Sequence, residues 1–160
     1  MKFLVSDCQE DRHNKIRKYL QRDTAIIAAL LAAVDFEWTI RRVLDRAANE
    51  DKKQLEPPKI SRLDQYSKEW SKIFCAPGSK SLSKVVGDWN ELRSAYQIRH
   101  DIVHGRQGSS GVNYAATRVN RILAASKAVA DYGRQCGADP YRRIRRAILT
   151  GPTRKKRLEK

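Results

Sequence analysis

The sequence predicts an all-α fold, an up-down bundle of four to five helices with a short basic C-terminal helix. Three observations predict it. The 160 residues are 41% apolar and 32% charged, the balance of one globular domain with a single core. Apolar residues recur at three- and four-residue spacing almost throughout, and no strand-like alternation competes with them. Glycine and proline, eight and five in number, fall mostly between the periodic segments.

Taken in order, Ser6 is placed to cap a first helix to about Gln21, with Ile16, Tyr19 and Leu20 as its stripe. Asp23 or Thr24 caps a second helix to about Asn49. Its rows read Ile26, Leu30, Ala33, Ile40 and Leu44, with Ile27, Leu31, Val34 and Trp38 beside them. This wide apolar arc predicts the central core helix. Residues 49–59, with Pro57 and Pro58, form a loop. Ser61 to Asp64 is a capping box opening a helix with Leu63, Tyr66, Trp70, Ile73 and Phe74 on one side. Ala76-Pro77-Gly78-Ser79 breaks it, and a short turn covers Leu82 to Val86. Asp88 caps a helix with Trp89, Leu92, Tyr96, Arg99 and Val103 at helical spacing, ended by Gly105. After a loop, the last long helix runs from about Val112 to Gln135, with Ala115, Val119, Ile122, Ser126 and Val129 inward, and Gly137 closes it. Asp139 and Pro140 read as N-cap and first residue of the short terminal helix. The helical domain is thus residues 1–150, and 151–160 form a disordered basic tail.

Charge speaks to partners. Lys and Arg number 33 against 18 Asp and Glu, a net charge of +15. A chain this basic is suited to nucleic acid or to an anionic membrane. The longest apolar run, Ala25 to Val34, is half the length of a membrane span, so no membrane is expected. The N-terminus is no signal peptide. Three cysteines, far apart and without a CxxC pair, make neither a disulfide framework nor a zinc ribbon. The expectation is a soluble, cytoplasmic chain in a reducing compartment.

Two polar residues interrupt apolar rows. Glu37 lies in the row Ala33, Ile40, Leu44, and a buried carboxylate there needs a cation or a proton. Arg99 lies in the row Leu92, Tyr96, Val103 and needs an anion: Glu37, backbone carbonyls or a phosphate. His104 follows five residues later. On a straight helix the two diverge by about 140°, unless the chain unwinds at Gly105 and swings His104 back.

The string Arg99-His100-Asp101-Ile102-Val103-His104-Gly105 resembles the R-x4-H signature of HEPN domains. His100 fills the polar position that commonly follows the arginine. The helix carrying Phe36-Glu37-Trp38 is similar to the core helix that bears an acidic residue in that superfamily. The likeness covers roughly residues 10 to 136. It implies a metal-independent endoribonuclease without cofactor, working on RNA as a homodimer in which two R-x4-H motifs share one cleft. It also implies a toxin or phage-defence setting, with an antitoxin or second defence protein as partner. In that reading His104 is the acid/base, Arg99 clamps the phosphate, His100 or Asp101 orients one of them, and Glu37 positions Arg99 or His104. The chemistry is sound: RNA carries its own 2′-OH nucleophile, imidazole titrates near neutrality, and a guanidinium binds phosphate bidentately. Some HEPN toxins carry a tyrosine two residues past the histidine, the site of modification by a partner nucleotidyltransferase; here the position is Arg106.

Two other readings use the same residues. A non-catalytic module of this fold, binding RNA, nucleotide or protein, needs Arg99 and His104 only for structure. A zinc hydrolase would use His100 and His104, a near miss to HExxH, but His13 is the sole further histidine and lies far away in sequence. The RNA-binding set is Arg106 with Arg142, Arg143, Arg145 and Arg146. Residues 134–160 hold ten Lys or Arg against two Asp or Glu.

Overall fold

The structure is a computed structural model that describes residues 8–50, 63–106 and 111–141. Among the described residues it is an all-α bundle of six helices: α1 (Gln9–Arg17), α2 (Ala25–Glu50), α3 (Leu63–Ile73), α4 (Leu82–Val86), α5 (Trp89–Val103) and α6 (Val112–Gln135). No strand occurs among the described residues. Ser6, the capping Ser61, Arg142 onward and the 151–160 tail lie outside the described residues.

Helix α1 begins later and ends earlier than the periodicity predicts. Cys8 is its N-cap, with Sγ accepting from the Asp11 amide. The chain turns after Lys18, and Thr24 Oγ1 donates to the Tyr19 carbonyl 2.8 Å away. The buried face of α1 is Arg12, His13 and Ile16, two of them polar, so hydrophobic periodicity cannot see it.

Helix α2 packs chiefly on α6, and its inward face differs from the expected one. Ala25, Ala28, Ala29, Ala32, Ala33, Phe36, Ile40, Val43 and Leu44 are buried. Ile26, Leu30 and Leu31 are only half-buried, and Ile27 and Val34 are exposed. The reason lies across the contact. Helix α6 presents Ala125, Ser126, Val129, Ala130 and Gly133 there, and two surfaces of small residues let the backbones approach closely. The methyl groups pack and the longer side chains are turned outward.

The remaining helices form where the sequence places them, but α5 turns a different face inward. Leu63, Tyr66 and Trp70 of α3 are buried, and Trp70, Phe74 and Tyr132 form one aromatic cluster. Trp70 Nε1 donates to the Lys80 carbonyl (2.9 Å) and the Lys80 amide to the Tyr132 hydroxyl (2.9 Å), which fixes the turn between α3 and α4. Asp88 caps α5 by accepting from the Glu91 amide at 2.9 Å. Leu92, Ala95 and Ile98 face the core. Tyr96 and Arg99 sit at the margin, and Val103, expected inward, is 58% exposed.

Candidate functional site

Helix α2 brings Glu37 to the margin where α5 presents Tyr96 and Arg99. Phe36, buried beside Glu37, meets the Tyr96 ring edge-on with centroids 6.2 Å apart, which sets the tyrosine in place. The Tyr96 hydroxyl donates a short hydrogen bond to Glu37 Oε1. Arg99 Nε lies 3.4 Å from the same oxygen. The anion that Arg99 requires is therefore Glu37. One turn further along α2, Arg41 Nε donates to the Tyr66 hydroxyl of α3 at 2.8 Å. Burial pushes the Tyr96 phenol well above its ordinary value, and its bond to the Glu37 carboxylate adds to the shift. Tyr96 thus remains a proton donor to Glu37 at every ordinary pH.

His100 and His104 lie at the C-terminal end of α5. His104 is the C-cap, its amide donating to the His100 carbonyl at 3.0 Å, and Gly105 follows at a φ of 67°. The helical i, i+4 spacing keeps His104 over His100, with ring centroids 4.2 Å apart and the planes tilted. It is His100, not Asp101, that touches His104. The Asp101 carboxylate accepts from Gln97 Nε2 at 2.9 Å, and its carbonyl accepts from the Arg106 amide. A hollow of about 260 Å³ between α3 and α5 is lined by Arg99 and His100 together with Arg93, Tyr96, Gln97 and Asp64. Arg99, His100, Glu37 and Tyr96 are thus neighbours, and His104 joins them through His100. No group of three His, Cys, Asp or Glu side chains placed to hold a metal occurs among the described residues.

Of the expected RNA-binding residues, Arg106 is exposed beyond the end of α5. Arg142, Arg143, Arg145 and Arg146 lie outside the described residues. The residue before them is anchored: Tyr141 stacks on Trp38 at 5.7 Å, and its hydroxyl accepts from Arg12 Nη2 at 3.1 Å.

A second polar cluster was not foreseen. Asp35, Thr39, Ser126, Arg12 and His13 are all buried. Asp35 Oδ1 accepts from Arg12 Nε at 2.8 Å; Oδ2 accepts from Ser126 Oγ at 2.7 Å and lies 3.0 Å from His13 Nε2. Ser126 and Thr39 hydroxyls are 3.1 Å apart. Burial alone would raise the Asp35 carboxyl, but the His13 hydrogen bond and the Arg12 charge outweigh it and hold it below the usual range. Arg12 also lies 4.8 Å from the Trp38 ring centre. Asp35 and Glu37 are two residues apart, about 200° around the helix, so α2 serves this cluster on one side and Arg99 on the other. One sequence signal existed: Ala28, Ala32, Asp35 and Thr39 form a row of small and polar residues alongside the apolar one. The Asp35 carboxylate thus joins Arg12 and His13 of α1 to Ser126 of α6, and Arg12 reaches on to Tyr141, so the cluster is a structural clasp tying α1 and the start of the C-terminal segment to α2 and α6. Compared with family models, curated proteins and solved structures, the chain finds no match.

Proposed function

We propose that this chain is a metal-independent endoribonuclease acting as a homodimer through Arg99, His100 and His104. The observation that supports it most is the grouping at the end of α5: a guanidinium held by Glu37 beside a hollow that His100 also lines, with His104 exposed and its ring tilted against that of His100. The chemistry needs no cofactor. The ribose 2′-oxygen attacks the adjacent phosphorus as its proton is removed. The P–O5′ bond breaks, the 5′-oxygen takes a proton, and a 2′,3′-cyclic phosphate is left. Arg99 holds the phosphate and offsets its growing charge. His104 supplies one proton transfer, and the second comes from His100 or from the partner copy. Glu37 and Tyr96 position Arg99 without touching substrate.

Dimerisation would bring two such sites together. Val34 lies one turn before Glu37 on α2, and Val103 one turn after Arg99 on α5, and they are 54% and 58% exposed. Apolar residues flanking a charged centre suit a face covered by a second copy. The toxin or phage-defence role, and an antitoxin or second defence protein as partner, follow from the HEPN resemblance.

Arg99→Ala and His104→Ala should each lower single-stranded RNA cleavage at least about 100-fold while the melting temperature stays near wild type. One observation favours the non-catalytic module instead: Glu37 already neutralises Arg99. That reading predicts no cleavage by wild type and a lowered melting temperature for Arg99→Ala.

A further inference from the structure

Helix α5 carries a polar band that extends the R-x4-H histidines by two residues which that motif does not include, Arg93 and Gln97. Arg93, Gln97, His100 and His104 follow one another at spacings of four, three and four. At about 100° per residue they fall within a band about 60° wide, running about 16 Å along the helix. The rings of His100 and His104, tilted against each other with centroids 4.2 Å apart, mark one end of it. At the other end Arg93, Gln97 and His100 line the hollow whose far wall is Leu63 and Asp64 of α3. Arg99 borders the same hollow. Two guanidiniums, an imidazole and a neutral amide therefore line the hollow opposite Asp64, with Glu37 holding Arg99 and Asp101 holding Gln97. The hold of Asp64 on Arg93 is loose: Nη2 to Oδ2 is 3.2 Å, with both side chains more than half exposed. An exposed pair of this kind contributes little to stability and is open to exchange.

We infer that this band is the track for single-stranded RNA, with Arg93 holding a backbone phosphate upstream of the one cut beside His104. The inference rests on the ribonuclease reading, and it names the residues that seat the substrate. The incoming phosphate displaces Asp64 from Arg93 and forms the stronger charge-assisted contact. Gln97, its amide fixed by Asp101 at 2.9 Å, faces the strand as a neutral partner for a base edge. Asp64 opposes binding by its charge.

The test is the binding of a fluorescein-labelled, 2′-O-methylated octanucleotide to the full chain, followed by anisotropy across a salt series. The methyl groups remove the nucleophile, so binding is read without cleavage. Arg93→Gln should weaken binding about fivefold and reduce the slope of log affinity against log salt by about 0.7. Asp64→Asn should tighten binding about twofold. The opposite signs separate a substrate track from a structural ion pair, for which both variants would lower the melting temperature and neither would alter binding. Affinity and slope unchanged in Arg93→Gln, or no binding by wild type, overturns the proposal. Cleavage of unmodified RNA is scored separately. Arg93-dependent binding without cleavage keeps the track and removes the nuclease; His104-dependent cleavage with binding indifferent to Arg93 does the reverse.

Discussion

Single residues divide this molecule into a clasp and a site, and Asp35 is the residue on which the clasp depends. Its two oxygens answer Arg12, His13 and Ser126 inside the bundle. Asp35→Ala leaves the Arg12 guanidinium buried without its counter-ion, which should cost about 3–5 kcal/mol. Chemical denaturation measures the loss. Asp35 also sets an acid limit. Its carboxyl is held below the usual value in the folded chain. Its stabilising contribution is therefore complete above the unfolded value of about 3.9 and is lost as pH falls through the folded one. Wild type should lose stability below about pH 4, and that limb should flatten in Asp35→Asn. Glu37 differs in kind. It is partly exposed, it carries Tyr96 and Arg99, and its removal should show in catalysis before it shows in stability.

At the scale of elements, the contact of α2 with α6 governs the rest. Gly133 of α6 lies directly against Val43 of α2. A Cβ there would lie 2.7 Å from Val43 Cγ2 and 2.9 Å from the Ala138 carbonyl oxygen. Valine is stiff at χ1 in a helix, and the carbonyl is backbone, so neither yields readily. Gly133→Ala should therefore destabilise by about 1–2 kcal/mol despite alanine's higher helix propensity, lowering the melting temperature by about 3–8 °C. This contact also explains what the sequence made legible. The helices α3 to α6 are readable from caps and spacing: Asp88 and Gly137 punctuate where expected, and Ala115, Val119, Ile122, Ser126 and Val129 face inward. The face of α2 is not, because hydropathy favours Ile27 and Val34 over alanines, whereas close packing favours the alanines. The Arg12–Asp35 pair is not legible either, since its partners are 23 residues apart on different helices and no periodicity links them. At the candidate site, the pairing of Glu37 with Arg99 was among the options that the two interrupted rows allowed. Tyr96 reads from its spacing as a core residue, and its role as donor to Glu37 becomes visible only once α2 and α5 are side by side.

For the whole molecule, charge and apolar surface point to different partners. A net charge of +15 favours a polyanion. Ile27, Val34 and Val103, by contrast, are exposed and apolar, and Val34 and Val103 flank Glu37 and Arg99. If a second copy covers them, Val34→Glu combined with Val103→Glu should give a monomer in sedimentation at micromolar concentration. Its melting temperature, extrapolated to low concentration, should match that of wild type, and cleavage should fall with the dimer fraction. A dimer that survives both charges would place the interface elsewhere.

Metal-free cleavage of RNA through the R-x4-H residues is the proposal on which the dimer and the RNA track both rest. The most direct test is to incubate total tRNA and a single-stranded RNA with wild type and His104→Ala, both in EDTA, and to identify the chemical ends of the products. The expected outcome is chelator-resistant cleavage by wild type, fragments ending in 2′,3′-cyclic phosphate, and intact RNA with a folded His104→Ala protein. Uncut RNA in both reactions, or equal cleavage by the two proteins, would contradict it.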